Sequence, residues 1–196
     1  MLHYKPLEIF STTYPFCFHE NYFSVMECKK IISYCNLLPK QTAEVIDEKN
    51  QKSLSTKRFS DISWIEHNDK SKWFYDKFAS GIDSLNQSFY QLDLTGFNKI
   101  QFTEYDSSKF AKYDWHMDMI LGNNKENLTR KLSATLLLND NFNGGEFEFL
   151  EYDGFQPQMS AGTLIVFPSF MIHRVKPVTK GIRNSLVCWC LGSKFK

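Results

Sequence analysis

Two histidines and one aspartate have the residue types and the order of a metal site. His116 and Asp118 are separated by one residue, in the stretch Trp115-His116-Met117-Asp118. In an extended strand, side chains two positions apart point to the same face, so an imidazole nitrogen and a carboxylate oxygen would project together. His173 can supply a second imidazole from a distant strand. We call these three residues the metal triad, and their open ligand set predicts non-haem Fe(II).

Arg183 follows His173 by ten residues, in the segment Gly181-Ile182-Arg183-Asn184-Ser185. A guanidinium stays charged and its planar fork matches a carboxylate, so Arg183 can clamp an anionic ligand beside the metal. A His-x-Asp triplet alone is weak, because such triplets occur by chance and a single His is more often packed or solvated. The four residues in this order and spacing are much less easily accidental.

Two helices are predicted ahead of this motif. The first begins at a capping box formed by Ser24 and Glu27, carries apolar residues at helical spacing and ends before Pro39. The second covers about residues 68–91 and has a stripe of aromatic and aliphatic side chains. Both helices are expected to support the strands that follow them in the chain.

From residue 97 onward the sequence predicts about eight short strands, with an early strand also expected within residues 1–20. In the last of them, Arg183, Ser185 and Trp189 share one face. Residues 40–56 and 122–131 are polar and are predicted as loops. Helices followed by strands indicate a mainly β, α+β fold with N-terminal helices, in which either a closed roll or a two-sheet jelly roll fits.

Composition narrows the class of protein. The length of 196 residues predicts one domain over residues 1–196. A net charge of +1 with scattered Lys and Arg gives no basic stripe for nucleic acid or membrane. The five cysteines form no Cys-x-x-Cys motif, and no leader or long apolar run is seen, which predicts buried thiols and a cytoplasmic protein. The oligomeric state is left open.

The motifs together resemble the Fe(II)/2-oxoglutarate dioxygenases, in their prolyl-hydroxylase-like branch of bacterial and phage type. This resemblance spans about residues 22–192 and implies a double-stranded β-helix over about residues 97–192, buttressed by helices over about residues 22–92. The stretches that carry it are Tyr113-Asp114-Trp115-His116-Met117-Asp118, Gly144-Gly145-Glu146, His173-Arg174-Val175, Gly181 and Arg183.

The resemblance assigns roles to the candidate residues. The metal triad would bind Fe(II) and carry the catalysis, and Arg183 would pair with the far carboxylate of 2-oxoglutarate. Tyr105 and Ser185 would be its hydroxyl partners. The cosubstrates would be 2-oxoglutarate and O2, with ascorbate as an accessory reductant, and 2-oxoglutarate would leave as succinate and CO2 while a substrate carbon is hydroxylated.

The chain departs from the family pattern in two places, and these departures leave the substrate open. The turn at residues 106–109 lacks the usual glycine, and Leu137 stands where collagen-type prolyl hydroxylases have a tyrosine. The polar segments 40–56 and 122–131 favour gripping a polypeptide, so a protein or peptide substrate is expected, with proline as the first side chain to test. A small-metabolite hydroxylase and a non-catalytic, cupin-like metal-binding module are the alternatives.

Overall fold

A computed structural model gives the architecture of the chain. The described residues are 15–43, 45–46, 52–53, 57–97, 99–120, 127–152 and 157–194. Within them lie two α-helices, α1 (Val25–Cys35) and α2 (Lys72–Leu85), and a π-helical segment, Asn86–Tyr90, continues α2. No helix in this part of the chain has both the length and the apolar character needed to cross a bilayer.

Sixteen strands are present in the same residues, all paired antiparallel. They are β1 (Cys17–His19), β2 (Gln41–Thr42), β3 (Val45–Ile46), β4 (Lys52–Ser53), β5 (Arg58–Phe59), β6 (Asp61–Ile65), β7 (Gly96–Phe97), β8 (Ile100–Asp106), β9 (Lys112–His116), β10 (Leu128–Leu137), β11 (Asn143–Gly144), β12 (Phe147–Phe149), β13 (Leu164–Pro168), β14 (His173–Val175), β15 (Val178–Lys180) and β16 (Ile182–Ser193).

Most of the strands form a major and a minor sheet, and β3–β4 and β11–β15 are separate two-stranded pairs. The major sheet has the order β1-β13-β10-β16-β8-β6-β2, with β7 also pairing with β16, and the minor sheet has the order β12-β14-β9-β5. Side chains of β13 alternate between two cores: Leu164 and Val166 pack with the helices, whereas Ile165 and Phe167 pack with the minor sheet. The predicted helix-buttressed jelly roll is confirmed, and its inner core lies between the sheets.

The first helix begins as predicted. The Ser24 hydroxyl accepts from the Glu27 N–H at 3.2 Å, and the Glu27 carboxylate accepts from the Ser24 N–H at 2.7 Å. The buried face of α1 carries Cys28, Ile31 and Cys35. The expected burial of the thiols is also confirmed, because all five cysteines are free and buried.

Both predicted loops are partly wrong. Within 40–56 the structure has β2, which pairs with β6, and the β3–β4 hairpin, and within 122–131 residues 128–131 belong to β10. The rest of these segments, apart from 40, 43 and 127, lies outside the described residues. The prediction failed because strands can pair through backbone groups alone, so polar strand segments show no apolar alternation.

Candidate metal and carboxylate site

The metal triad lies on neighbouring strands of the minor sheet. His116 is the last residue of β9, His173 is the first of β14, and the two are direct partners in the antiparallel register. The single strand that was expected to carry both His116 and Asp118 ends at His116, so Asp118 is not on it. The Asp118 N–H instead donates to the carbonyl of Ser169 at 3.0 Å, and this bond turns the chain so that the carboxylate faces both imidazoles.

The three side chains meet at one point. One ligand atom from each side chain lies within 4.8 Å of the other two. Among the described residues, these three side chains are the group that could hold a metal ion. His116 Nε2 is 3.8 Å from Asp118 Oδ1, and His173 Nε2 is 3.5 Å from Asp118 Oδ2. Two imidazole nitrogens and a carboxylate on one side of a point form a facial donor set for a divalent transition metal.

Backbone carbonyls fix the tautomer of both histidines. His116 Nδ1 lies 2.7 Å from the carbonyl oxygen of Asp114, and His173 Nδ1 lies 2.9 Å from that of Met171. A carbonyl only accepts, so each Nδ1 carries the proton and each Nε2 keeps its lone pair for a metal. Burial, with the neighbouring His173, lowers the pKa of His116 to about 3, which keeps this imidazole neutral.

Two serines position the carboxylate. Ser133 Oγ donates to Asp118 Oδ2 at 2.8 Å, and Ser133 and Ser169 hydroxyls are 2.9 Å apart. Burial opposes ionisation of Asp118, but His173 and His116 outweigh it and the pKa of Asp118 is lowered. Sequence reasoning missed both serines, although Ser133 was visible as a polar residue inside an apolar strand.

Arg183 enters the same cavity from the major sheet. It is 2% exposed, and its Nη1 donates to Ser185 Oγ at 3.1 Å. Its guanidinium carbon is 5.7 Å from the ring centroid of Tyr105, which also lines the cavity. Burial lowers the pKa of Arg183. No carboxylate in the described residues forms an ion pair with it, so the site holds a buried cation that an anionic ligand would stabilise.

A second unsatisfied group lines this cavity. Trp189 shares the cavity face of β16 with Arg183 and Ser185, as predicted from strand alternation. Its Nε1 is buried without a hydrogen-bond acceptor. The indole N–H of Trp189 and the unpaired guanidinium of Arg183 are both donors on the wall of one cavity, which fits an acceptor-rich ligand such as a carboxylate.

Two further residues of the cavity were not predicted. Arg58 on β5 is 8% exposed, and its guanidinium carbon lies 4.6 Å from the ring centroid of Tyr113. The Tyr113 ring in turn stacks on His116, with 3.4 Å between ring centroids. The sequence carries no signal for Arg58, because its burial arises from the pairing of β5 with β9, which are far apart in the chain.

The part of the chain that contains the metal triad and Arg183 matches known proteins. Residues 100–191 match the family model of the 2OG-Fe(II) oxygenase superfamily. A PKHD-type hydroxylase of Teredinibacter turnerae is 39% identical over 82 residues, which cover 39% of this chain. The match spans only 36% of the length of that relative.

Solved structures resemble the chain over nearly its whole length. A prolyl-4-hydroxylase of Pseudomonas putida superposes with a TM-score of 0.70 at 22% identity, covering 93% of this chain and 95% of that one. A prolyl hydroxylase of Trichoplax adhaerens, in complex with a hypoxia inducible factor peptide, gives 0.72 at 21% identity, covering 91% and 84%. These likenesses establish the prolyl-hydroxylase-like fold. Residues 100–191, which contain the metal triad and Arg183, are similar to the 2OG-Fe(II) oxygenase superfamily.

Proposed function

We propose that the chain, as a single domain over residues 1–196, is an Fe(II)- and 2-oxoglutarate-dependent oxygenase that hydroxylates a substrate carbon. The observation that carries this proposal is the convergence of a complete metal triad and an unpaired, buried Arg183 on one cavity. A metal-binding module without turnover would need the metal triad, but it would not need the buried, unpaired guanidinium of Arg183 in the same cavity.

His116, Asp118 and His173 would hold Fe(II), since both Nε2 atoms and the carboxylate are free to ligate. When bound, Fe(II) with 2-oxoglutarate and O2 supplies the oxidising power for hydroxylation, with succinate and CO2 as coproducts. The protein contributes a neutral His116, a His173 whose Nδ1 is hydrogen-bonded to a backbone carbonyl, an Asp118 whose lowered pKa favours the carboxylate, and a cavity between the two sheets.

Arg183 would bind the far carboxylate of 2-oxoglutarate through its guanidinium fork. Ser185 already accepts a hydrogen bond from Arg183, so its role would be to orient that fork. Burial raises the pKa of Tyr105, which keeps its phenol protonated and available as a donor to the same carboxylate. Ascorbate would serve to keep the iron reduced.

The substrate that fits best is a protein or peptide side chain, with proline first. The Trichoplax relative was solved with a peptide, and the Teredinibacter relative is a PKHD-type hydroxylase. A small metabolite is the competing substrate class. A cytoplasmic location is supported by five free, buried thiols, which suit a reducing compartment.

Succinate formation tests the proposal directly. Purified chain with Fe(II), 2-oxoglutarate and O2 is expected to release succinate even without a prime substrate, and Asp118→Ala is expected to release none. Peptide and metabolite libraries are then screened by mass spectrometry for products heavier by one oxygen atom. Absence of any metal-dependent succinate formation by the wild type would contradict the assignment.

A further inference from the structure

We propose that Arg58 binds a carboxylate of the prime substrate, so that this site selects an anionic substrate. The proposal rests on the proposed function and specifies its substrate class. Arg58 lines the same cavity as the metal triad. It reaches that cavity from β5 at the edge of the minor sheet, whereas Arg183 reaches it from the major sheet.

Arg58 lies one aromatic ring away from a metal ligand. It is the register partner of Tyr113 on β9, and its guanidinium packs over the Tyr113 ring. That ring stacks on His116. A group held by the Arg58 fork would therefore sit on the minor-sheet side of the cavity, beside the position where the metal triad converges.

The guanidinium of Arg58 has unused donors. Its one hydrogen bond to a described residue runs from Nε to Ser60 Oγ at 2.9 Å, and no described carboxylate forms an ion pair with it. Arg174 provides the contrast: its guanidinium is more exposed, and its Nε donates to Glu148 Oε2 at 2.6 Å. Stacking on Tyr113 offsets only part of the cost of burying a cation, so the free Nη groups are suited to an anion.

With Fe(II) and 2-oxoglutarate bound, the charges in the site would balance except for that of Arg58. The positive charges of Fe(II) and Arg183 are balanced by the Asp118 carboxylate and the two carboxylates of 2-oxoglutarate, because the triad histidines are ligands through neutral rings. Arg130 does not line the cavity and donates to the Asp118 carbonyl instead. Among the described residues that line the cavity, Arg58 is thus the cation left without a balancing charge. A substrate carboxylate would neutralise it through two parallel hydrogen bonds.

Equilibrium binding of matched ligand pairs tests this without turnover. The chain is loaded with Mn(II) and 2-oxoglutarate and titrated calorimetrically with L-proline against L-prolinamide, and with a blocked Ala-Pro-Glu peptide against Ala-Pro-Gln. In at least one pair the carboxylate member should bind about tenfold tighter or more, the range of a hydrogen bond to a charged group. The pair that shows the preference identifies a free amino acid or a peptide as the source of the carboxylate.

Variants assign the preference to Arg58. Arg58→Gln should abolish it, and Arg58→Lys, which keeps the charge but loses the fork, should retain part of it. Lys112→Gln removes a nearby cation paired with Asp114 outside the cavity and should leave the preference intact. Thermal unfolding checks that each variant is folded, and if Arg58→Gln is not, the same comparison is made with Arg58→Lys.

Two results would overturn the proposal: no carboxylate member of either pair binds tighter than its amide, or the preference survives undiminished in the folded Arg58 variants. Failure of 2-oxoglutarate itself to bind the Mn(II)-loaded chain is a separate result. It would overturn the proposed function and this inference with it.

Discussion

Asp118 supplies the anionic ligand atoms of the metal triad, and its surroundings fix where they point. Its carboxylate accepts from the Ser133 hydroxyl, and its backbone N–H donates to the Ser169 carbonyl. Because each imidazole would ligate a metal as a neutral ring with its proton on Nδ1, the carboxylate alone would offset the charge of a bound divalent ion.

Replacing Asp118 with alanine should therefore remove the metal. We expect Asp118→Ala to retain almost no Fe(II) or Mn(II) after gel filtration, as measured by elemental analysis against protein concentration. Asp114→Ala is the matched control, because Asp114 serves His116 through its backbone carbonyl, which alanine keeps. Metal stoichiometry in Asp118→Ala equal to that of the wild type would disprove the ligand assignment.

Arg183 should set the affinity for 2-oxoglutarate. A hydrogen bond to a charged group is worth about 1.5–3 kcal/mol, so Arg183→Gln should raise the Kd of the Mn(II)-loaded chain for 2-oxoglutarate by about tenfold to a hundredfold. Arg174→Gln serves as control, since Arg174 is paired with Glu148. Calorimetry gives both constants. An unchanged Kd in Arg183→Gln would mean that another residue anchors the carboxylate.

At the scale of elements, the turn that leads into β9 forms without the glycine usual in the family. The Asp106 carboxylate accepts from the Ser108 N–H at 2.8 Å and caps a short 3-10 turn. Phe110 then takes the left-handed conformation, with φ +47°. A side-chain cap and one left-handed residue thus replace glycine, and β9 still delivers His116 to the site.

Gly162 secures the chain ahead of α1 to the sheet. Its carbonyl accepts from the Phe23 N–H at 3.1 Å, and a Cβ at this position would lie 1.8 Å from the Phe23 carbonyl oxygen. With φ at +91°, Gly162→Ala should lower the free energy of unfolding by more than about 2 kcal/mol, measured by urea denaturation.

Gly96→Ala separates the two causes of that loss. Gly96 has φ +133° but no atom within 4 Å of a Cβ, so this variant carries the conformational cost without the clash. It should be clearly less destabilised than Gly162→Ala. Equal losses in the two variants would show that the contact with Phe23 does not matter.

The cap of α1 should make stability depend on pH. The hydrogen bond from Lys77, with those from Ser24, lowers the pKa of Glu27 below its ordinary value of 4.5. A lowered folded-state pKa means that the carboxylate stabilises the fold above the unfolded-state pKa and loses this effect as the pH falls through the folded-state pKa.

Comparison with Glu27→Gln isolates this effect. The wild type should be more stable than the variant at neutral pH, and the difference in the free energy of unfolding should shrink as the pH falls below about 4.5. Denaturant titrations at a series of pH values measure it. A difference that stays constant down to acidic pH would exclude the carboxylate charge as its source.

At the scale of the whole molecule, the site joins the two sheets. The triad histidines belong to the minor sheet and Arg183 to the major sheet, so bound metal and 2-oxoglutarate would connect the layers. Because a ligand that binds only the folded state stabilises it, Mn(II) with 2-oxoglutarate at about a hundred times its Kd should add about 2.7 kcal/mol to the free energy of unfolding.

Thermal unfolding with and without the two ligands measures this gain. A chelator should reverse it, and Asp118→Ala should show no rise in Tm. If the Tm of the wild type does not change when both ligands are added, the site does not span the two sheets.

The sequence alone was sufficient for the residue types of the site and for the class of fold. His116, Asp118, His173 and Arg183 could be chosen because ligand chemistry depends on side-chain type, and Ser185 and Trp189 could be placed with Arg183 because strand alternation is local. The capping box of α1 was likewise predictable from four neighbouring residues.

Only the tertiary structure decided how these groups work together. The end of β9 before Asp118, the two carbonyls that set the histidine tautomers and the support from Ser133 and Ser169 all depend on segments brought together by the fold. The burial of Arg58 follows from the pairing of β5 with β9. Hydrogen-bond partners and burial are properties of contacts between residues distant in the chain, and no local pattern of side chains records them.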